Sequence, residues 1–162
     1  MAFFETFSHE LLLTFATAMV PVVELRGAIP LGVAAGLPPA PACAAAILGN
    51  LVPAPLVILL GRWAADFLRG TAFFGPKIGW LERRAHLKGR LVRKYRLAGL
   101  VILVGIPLPG TGAWTGALVA AVLNIRMRHA LPAILLGLVL AGLVTTMVTL
   151  GAFQLFYSKL QK

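Results

Sequence analysis

Glu24 and Arg26 are the residues whose types and placing most call for a chemical explanation. They interrupt a run of apolar residues that begins at Leu11 and continues to Leu37. A charged side chain at the centre of an apolar helix costs roughly 2.5–3.5 kcal/mol on insertion scales. One compensation is function, with Glu24 taking up and releasing a proton while Arg26 holds an anionic group such as a phosphate. The other is a mutually neutralising ion pair. Residues two apart do not face each other on a regular helix, but Gly27 and Pro30 point to a broken backbone here, so spacing leaves both open.

A second stretch, Pro107-Leu108-Pro109-Gly110-Thr111-Gly112-Ala113-Trp114-Thr115-Gly116, has no charge but is rich in residues that disfavour a regular helix. Thr111 or Gly112 is expected to cap a helix running to Ile125, whose N-terminal amides would attract an anion in the membrane interior. Thr111 and Thr115 add hydroxyls, and Trp114 adds an apolar face for a lipid chain or amphiphile. The spacings Gly112/Gly116 and Gly32/Gly36 also suit close helix packing. Asn50 is the other strongly polar side chain inside an apolar run, placed either to line a cavity or to bridge helices. Candidate substrate-binding residues are therefore Arg26, Pro30, Asn50, Pro107, Pro109, Gly110, Thr111, Gly112, Trp114 and Thr115, with Glu24 as the proton-coupling group. His9, His86 and His129 have no ligand spacing, so no metal is expected. No nucleophile triad, paired catalytic carboxylates, P-loop or dinucleotide fingerprint occurs, so neither an enzyme nor a cofactor is expected.

The elements that must position these residues follow from hydropathy. Of 162 residues, 59% are hydrophobic and 12% charged, with a mean hydropathy of +0.90; soluble domains have about 25% charged residues. A spanning helix needs about 20 apolar residues. Ala40–Gly61 and Ala130–Tyr157 meet that length without a charge. Leu11–Val23 and Leu97–Ile106 are too short to cross, and each is followed by a break and a second apolar piece. Such arms reach roughly half of a hydrocarbon core about 30 Å thick, which predicts re-entrant hairpins.

The net charge of +10 is concentrated in one place. Lys77, Arg83, Arg84, Lys88, Arg90, Arg93, Lys94 and Arg96 face the single acid Glu82 within residues 77–96. That pattern predicts an interfacial amphipathic helix on anionic lipid, with Arg83, Arg84, Lys88, Arg90, Arg93 and Lys94 at the lipid surface; nucleic acid is not an expected partner of so apolar a chain. Arg62, Asp66 and Arg69 read as a solvated, pair-forming helix end. Glu5 and Glu10 precede the first apolar run where a signal peptide would carry cations, so that segment is expected to stay in the mature protein. Cys43 has no partner for a disulfide and reads as a small apolar residue.

By the positive-inside rule, the basic stretch faces the cytoplasm, the first hairpin enters from outside and the second from inside. The predicted fold is an all-α integral membrane domain with an inverted repeat. Residues 1–69 form one half, 97–162 the other, and 70–96 a basic cytoplasmic connector; each half is a re-entrant helical hairpin plus a transmembrane helix. Ile29-Pro30-Leu31 recurs as Ile106-Pro107-Leu108, and Ala46-Ile47-Leu48-Gly49 is echoed at Ala133–Gly137. Inverted repeats with broken helices are typical of secondary transporters.

Glu24–Gly32, Gly49–Pro53 and Pro107–Gly116 together resemble the prokaryotic small multidrug export protein family over nearly the whole chain. That family is distantly similar to the DedA superfamily, whose members are implicated in moving lipids. The resemblance implies location in a prokaryotic cytoplasmic membrane. DedA proteins carry an arginine in the second hairpin, whereas Gly105–Gly116 has none; Glu24 alone finds an approximate counterpart.

The expected function is proton-coupled transport of an anionic lipid headgroup or small amphiphile. The alternatives are a membrane scaffold recruiting lipid or protein through the basic helix, and a passive channel. Membrane lipids and protons are the expected partners. A homodimer is expected as well, because re-entrant backbone must be covered by protein.

Overall fold

A computed structural model describes residues 2–69, 91–106 and 111–160. These residues form seven helices: α1 (Ala2–Ala18), α2 (Glu24–Ala34), α3 (Pro39–Leu51), α4 (Pro53–Arg69), α5 (Leu91–Gly105), α6 (Ala113–Val122) and α7 (Met127–Leu160). The two long uncharged runs become the two elements long and apolar enough to cross a bilayer, Pro39–Ala64 and Met127–Phe156. The first is divided at Val52, because Pro53 has no N–H for the helical ladder and its ring crowds the preceding turn. The helix predicted from Leu97 begins earlier, so Arg93, Lys94 and Arg96 belong to the first turns of α5. The rest of the basic stretch, with Arg83, Arg84, Lys88 and Arg90, lies outside the described residues.

The interior is built largely from small side chains. Ala28, Ala42, Ala46, Ala113, Ala117, Ala120 and Ala130 are buried, and Leu25, Ile29, Ile58, Leu100, Ile134 and Leu138 fill the space between them. Small residues let helix backbones approach closely. A Cβ on Gly49 of α3 would fall on the backbone carbonyl of Phe15 in α1, and one on Gly137 of α7 would meet Val104 and the Val101 carbonyl of α5. The outward surface carries Leu12, Leu56, Leu59, Leu136, Leu143 and Met147 exposed, which suits contact with lipid. Trp63 and Phe67 stack with ring centroids 6.1 Å apart near the end of α4, and the amphipathic Trp63 ring there is a placement common at a membrane interface.

Two groups of helices form. α1 packs on α2 and α3, and α5 packs on α6 and α7; across the groups, α2 lies against α7 and α6 against α4. The two long elements run in opposite directions. Gly142 of α7 faces Cys43 and Ile47 of α3, while the Arg62 guanidinium of α4 donates to the Ile125 carbonyl just before α7.

The ends of α2 and α6 are alike in detail. At α2, Leu37 N–H donates to Gly32 O at 3.0 Å and Gly36 N–H to Val33 O at 3.1 Å, with Gly36 at φ +102°. At α6, Ile125 N–H donates to Ala120 O at 2.9 Å and Asn124 N–H to Ala121 O at 3.0 Å, with Asn124 at φ +51°. Both are Schellman caps with a left-handed residue and a buried apolar residue after it, Leu37 or Ile125. The shared shift is eighty-eight positions, from Gly36 to Asn124, and the same shift carries the start of α3 at Pro39 to the start of α7 at Met127. The Ile-Pro-Leu echo does not follow it: Ile29 lies inside α2, whereas Ile106 directly follows α5.

Candidate functional site

Glu24 and Arg26 open α2 at the turn after α1, and both reach the junction between α5 and α6. Glu24 is buried, at 7% exposure, with φ +50°. A left-handed glutamate costs on the order of 1–3 kcal/mol and persists only where its surroundings fix it. What fixes it is the N-terminus of α6: the Trp114 backbone N–H donates to the Glu24 carboxylate. Gly112, the N-cap, is extended at φ −176° and provides no side-chain cap. Its missing Cβ makes the room, because an added Cβ would overlap the Glu24 carboxyl group. Gly112 thus takes the N-cap position, one of the two expected, and because it has no side chain to cap with, a carboxylate from α2 faces the positive end of the helix, a favourable partner for it.

Arg26 grips the other side of the same junction. Its Nη2 donates to the Thr111 carbonyl, to Thr111 Oγ1 at 2.9 Å and, more weakly, to the Ile106 carbonyl at 3.4 Å. Thr111 Oγ1 in turn donates to Ile106 O at 2.8 Å. A cation therefore lies at the C-terminal end of α5 and an anion at the N-terminal end of α6, each complementing its helix dipole. Glu24 and Arg26 attract each other electrostatically, but among the described residues they make no direct ion pair. The two side chains take separate partners on the opposing junction.

The other predicted residues divide. Asn50 is fully buried in α3, and neither its Oδ1 nor its Nδ2 has a hydrogen-bond partner; Trp114 Nε1 is likewise buried without one. Buried polar atoms are almost always paired, which makes both conspicuous. Pro30 lines a groove with Arg26. Thr115 is half-buried on α6. Pro107, Pro109 and Gly110 lie outside the described residues. Among the described residues no group of three or more potential metal ligands occurs.

Sequence reasoning missed two arginines. Arg62, read as part of a solvated helix end, donates from part-buried Nη2 to Ile125 O, and Arg96 Nη1 donates to Leu123 O at 3.3 Å. Both satisfy carbonyls at the end of α6. An arginine just beyond an apolar run was the available signal, but the same signal accompanies simple snorkelling to the interface.

The model of the small multi-drug export protein family matches residues 24–144. The chain belongs to that family. Its matched segment opens at Glu24 and contains Arg26, Asn50 and the whole α5–α6 junction. No curated protein and no solved structure matches the chain. Family membership points to transport, and with two long apolar helices is consistent with a membrane location.

Proposed function

We propose that this small multi-drug export family member is a proton-coupled secondary transporter or lipid translocase that moves an anionic lipid headgroup or small amphiphile. The observation that carries the reading is the double grip of Glu24 and Arg26 on the α5–α6 junction. Protonation of Glu24 removes the charge that caps α6 and weakens the hold on Trp114. Arg26 then exchanges the Thr111 and Ile106 carbonyls for an anionic group, since a guanidinium binds such oxygens in a planar fork. Loss of the proton restores the cap and expels the anion. Asn50 and Trp114 Nε1, buried without partners, are the further polar groups available to substrate or water.

An inverted repeat supports alternating access. In this reading α1–α2 and α5–α6 are re-entrant hairpins, and α3–α4 and α7 are the spans. The matching Schellman caps, the eighty-eight-residue shift and the opposite directions of the two long elements all favour it. The same reading holds that the chain is no enzyme, forms a homodimer in a prokaryotic cytoplasmic membrane, and turns residues 70–96 toward the cytoplasm. Headgroup translocation of a fluorescent anionic lipid in proteoliposomes tests the function. Gradient-dependent movement that Glu24→Gln abolishes supports it; no movement by well-folded protein removes lipid as the cargo, and activity loss only on charge reversal across Arg83–Arg96 favours the scaffold.

A further inference from the structure

Between α2 and the C-terminal half of α7 lies a groove of about 400 Å³. That size is within the roughly 300–1,000 Å³ of small-molecule sites. Arg26 and Pro30 form its α2 wall, and Val144, Val148, Ala152 and Phe153 form most of its α7 wall. Val144 to Phe153 extends about 14 Å along a helix rising 1.5 Å per residue, close to the depth of one leaflet in a core about 30 Å thick. Two threonines interrupt the apolar wall. The Thr149 hydroxyl donates back to the Thr145 carbonyl at 2.8 Å, so its proton is spent within α7, leaving the Arg26 guanidinium and the Thr145 hydroxyl as donors along the lining.

A cation at one wall and an otherwise apolar trough form a surface complementary to one kind of ligand. Val144 and Val148 are themselves well exposed, so the trough opens sideways, where a bilayer component can enter without crossing water. We infer that this groove binds an anionic phospholipid from the bilayer, its headgroup at Arg26 and an acyl chain along Val144, Val148 and Phe153. The inference rests on the transport reading for its purpose and deepens it by choosing a bilayer phospholipid over a small amphiphile and by naming its binding groove and lateral route. Arg26 both lines the groove and holds the α5–α6 junction through Nη2, so a headgroup in the groove is placed to become the anion for which Arg26 exchanges its carbonyl partners. An apolar groove with no cation would accept any lipid chain; charge at its wall is what selects a headgroup.

The test is photolabelling in vesicles with phosphatidylglycerol bearing a diazirine in its acyl chain, compared with the phosphatidylcholine analogue, followed by mapping of labelled peptides. In the wild type, phosphatidylglycerol should label residues 144–153 at least about tenfold more than phosphatidylcholine, the ratio expected for one charge-assisted hydrogen bond. Arg26→Gln should reduce the ratio to near one. Ala152→Trp, on the exposed side of α7, should block labelling by both lipids, whereas Leu12→Trp on the exposed face of α1 should leave it unchanged. The headgroup comparison needs no variant, so a misfolded mutant cannot decide it. Equal labelling by the two lipids, or labelling indifferent to Ala152→Trp, overturns the inference; so does stronger labelling by a diazirine alkylammonium, which would mark a groove for cationic amphiphiles. No proton gradient is needed. Headgroup-selective labelling without transport would defeat the transport reading alone, and transport without selective labelling would defeat the groove alone.

Discussion

Gly112→Ala is the substitution on which the proposed coupling makes its most specific prediction. Gly112 is extended at φ −176°, a conformation open to any residue, so alanine introduces no backbone strain. It does introduce a Cβ into space held by the Glu24 carboxyl group. The carboxylate must withdraw, and its hydrogen bond from the Trp114 N–H is lost. A hydrogen bond to a charged group is worth roughly 1.5–3 kcal/mol, and that is the expected drop in stability. Gly36→Ala is the matched control: it forces alanine to φ +102° with nothing within 4 Å of the new Cβ. A left-handed alanine costs on the order of 1–2 kcal/mol, so the two variants should lose similar thermal stability in detergent. Only Gly112→Ala should abolish gradient-driven lipid movement, measured per folded protein in proteoliposomes. If both variants transport at the wild-type rate, the carboxylate–helix contact has no part in the cycle.

Three further outcomes follow from the same geometry. Arg26→Lys should fail to substitute, since the lysine side chain is one bond shorter and its ammonium falls short of the Nη2 position that serves the Thr111 and Ile106 oxygens; hydrogen exchange at residues 111–116 should accelerate, and unchanged exchange would refute the grip. Asn50→Leu removes two buried unpartnered atoms whose burial costs roughly 1–3 kcal/mol, so unfolding should shift to equal or higher temperature while transport falls; a large loss of stability would mean that Asn50 is a structural bridge. Gly49→Ala and Gly137→Ala should each destabilise by about 1–3 kcal/mol as a methyl group is forced between packed helices, while Gly99→Ala and Gly151→Ala, with open space around them, should not, as thermal unfolding will show.

The spans were legible because hydrocarbon tolerates so few alternatives: an uncharged run from Ala40 to Gly61 is long enough to cross, although the division of its helix before Pro53 came only with the structure. Glu24 and Arg26 were legible because an unexplained charge in apolar sequence carries a known cost. One partner of Arg26, the Thr111 hydroxyl, stood among the candidate residues; the other partners were not legible. The Trp114 N–H and the Ile106 and Thr111 carbonyls are backbone groups, present at nearly every position, so no side-chain pattern singles them out. Gly112 announced a turn, but its role is to leave space for a side chain from α2, which only the packing reveals. The correspondence between α2 and α6 was hidden for a related reason. Gly36 and Asn124 both adopt the left-handed cap but differ as letters, whereas the visible Ile-Pro-Leu match joins positions in different parts of their helices. Arg62 and Arg96 bond carbonyls near the end of α6, a placement no local spacing encodes.

The central claim, that Glu24 couples a proton to movement of an anionic amphiphile, is tested most directly by headgroup translocation of fluorescent phosphatidylglycerol in proteoliposomes, wild type against Glu24→Gln, with and without a pH gradient. The account predicts gradient-stimulated translocation by the wild type and only the rate of protein-free vesicles for Glu24→Gln. Equal, gradient-independent translocation by both proteins would contradict it.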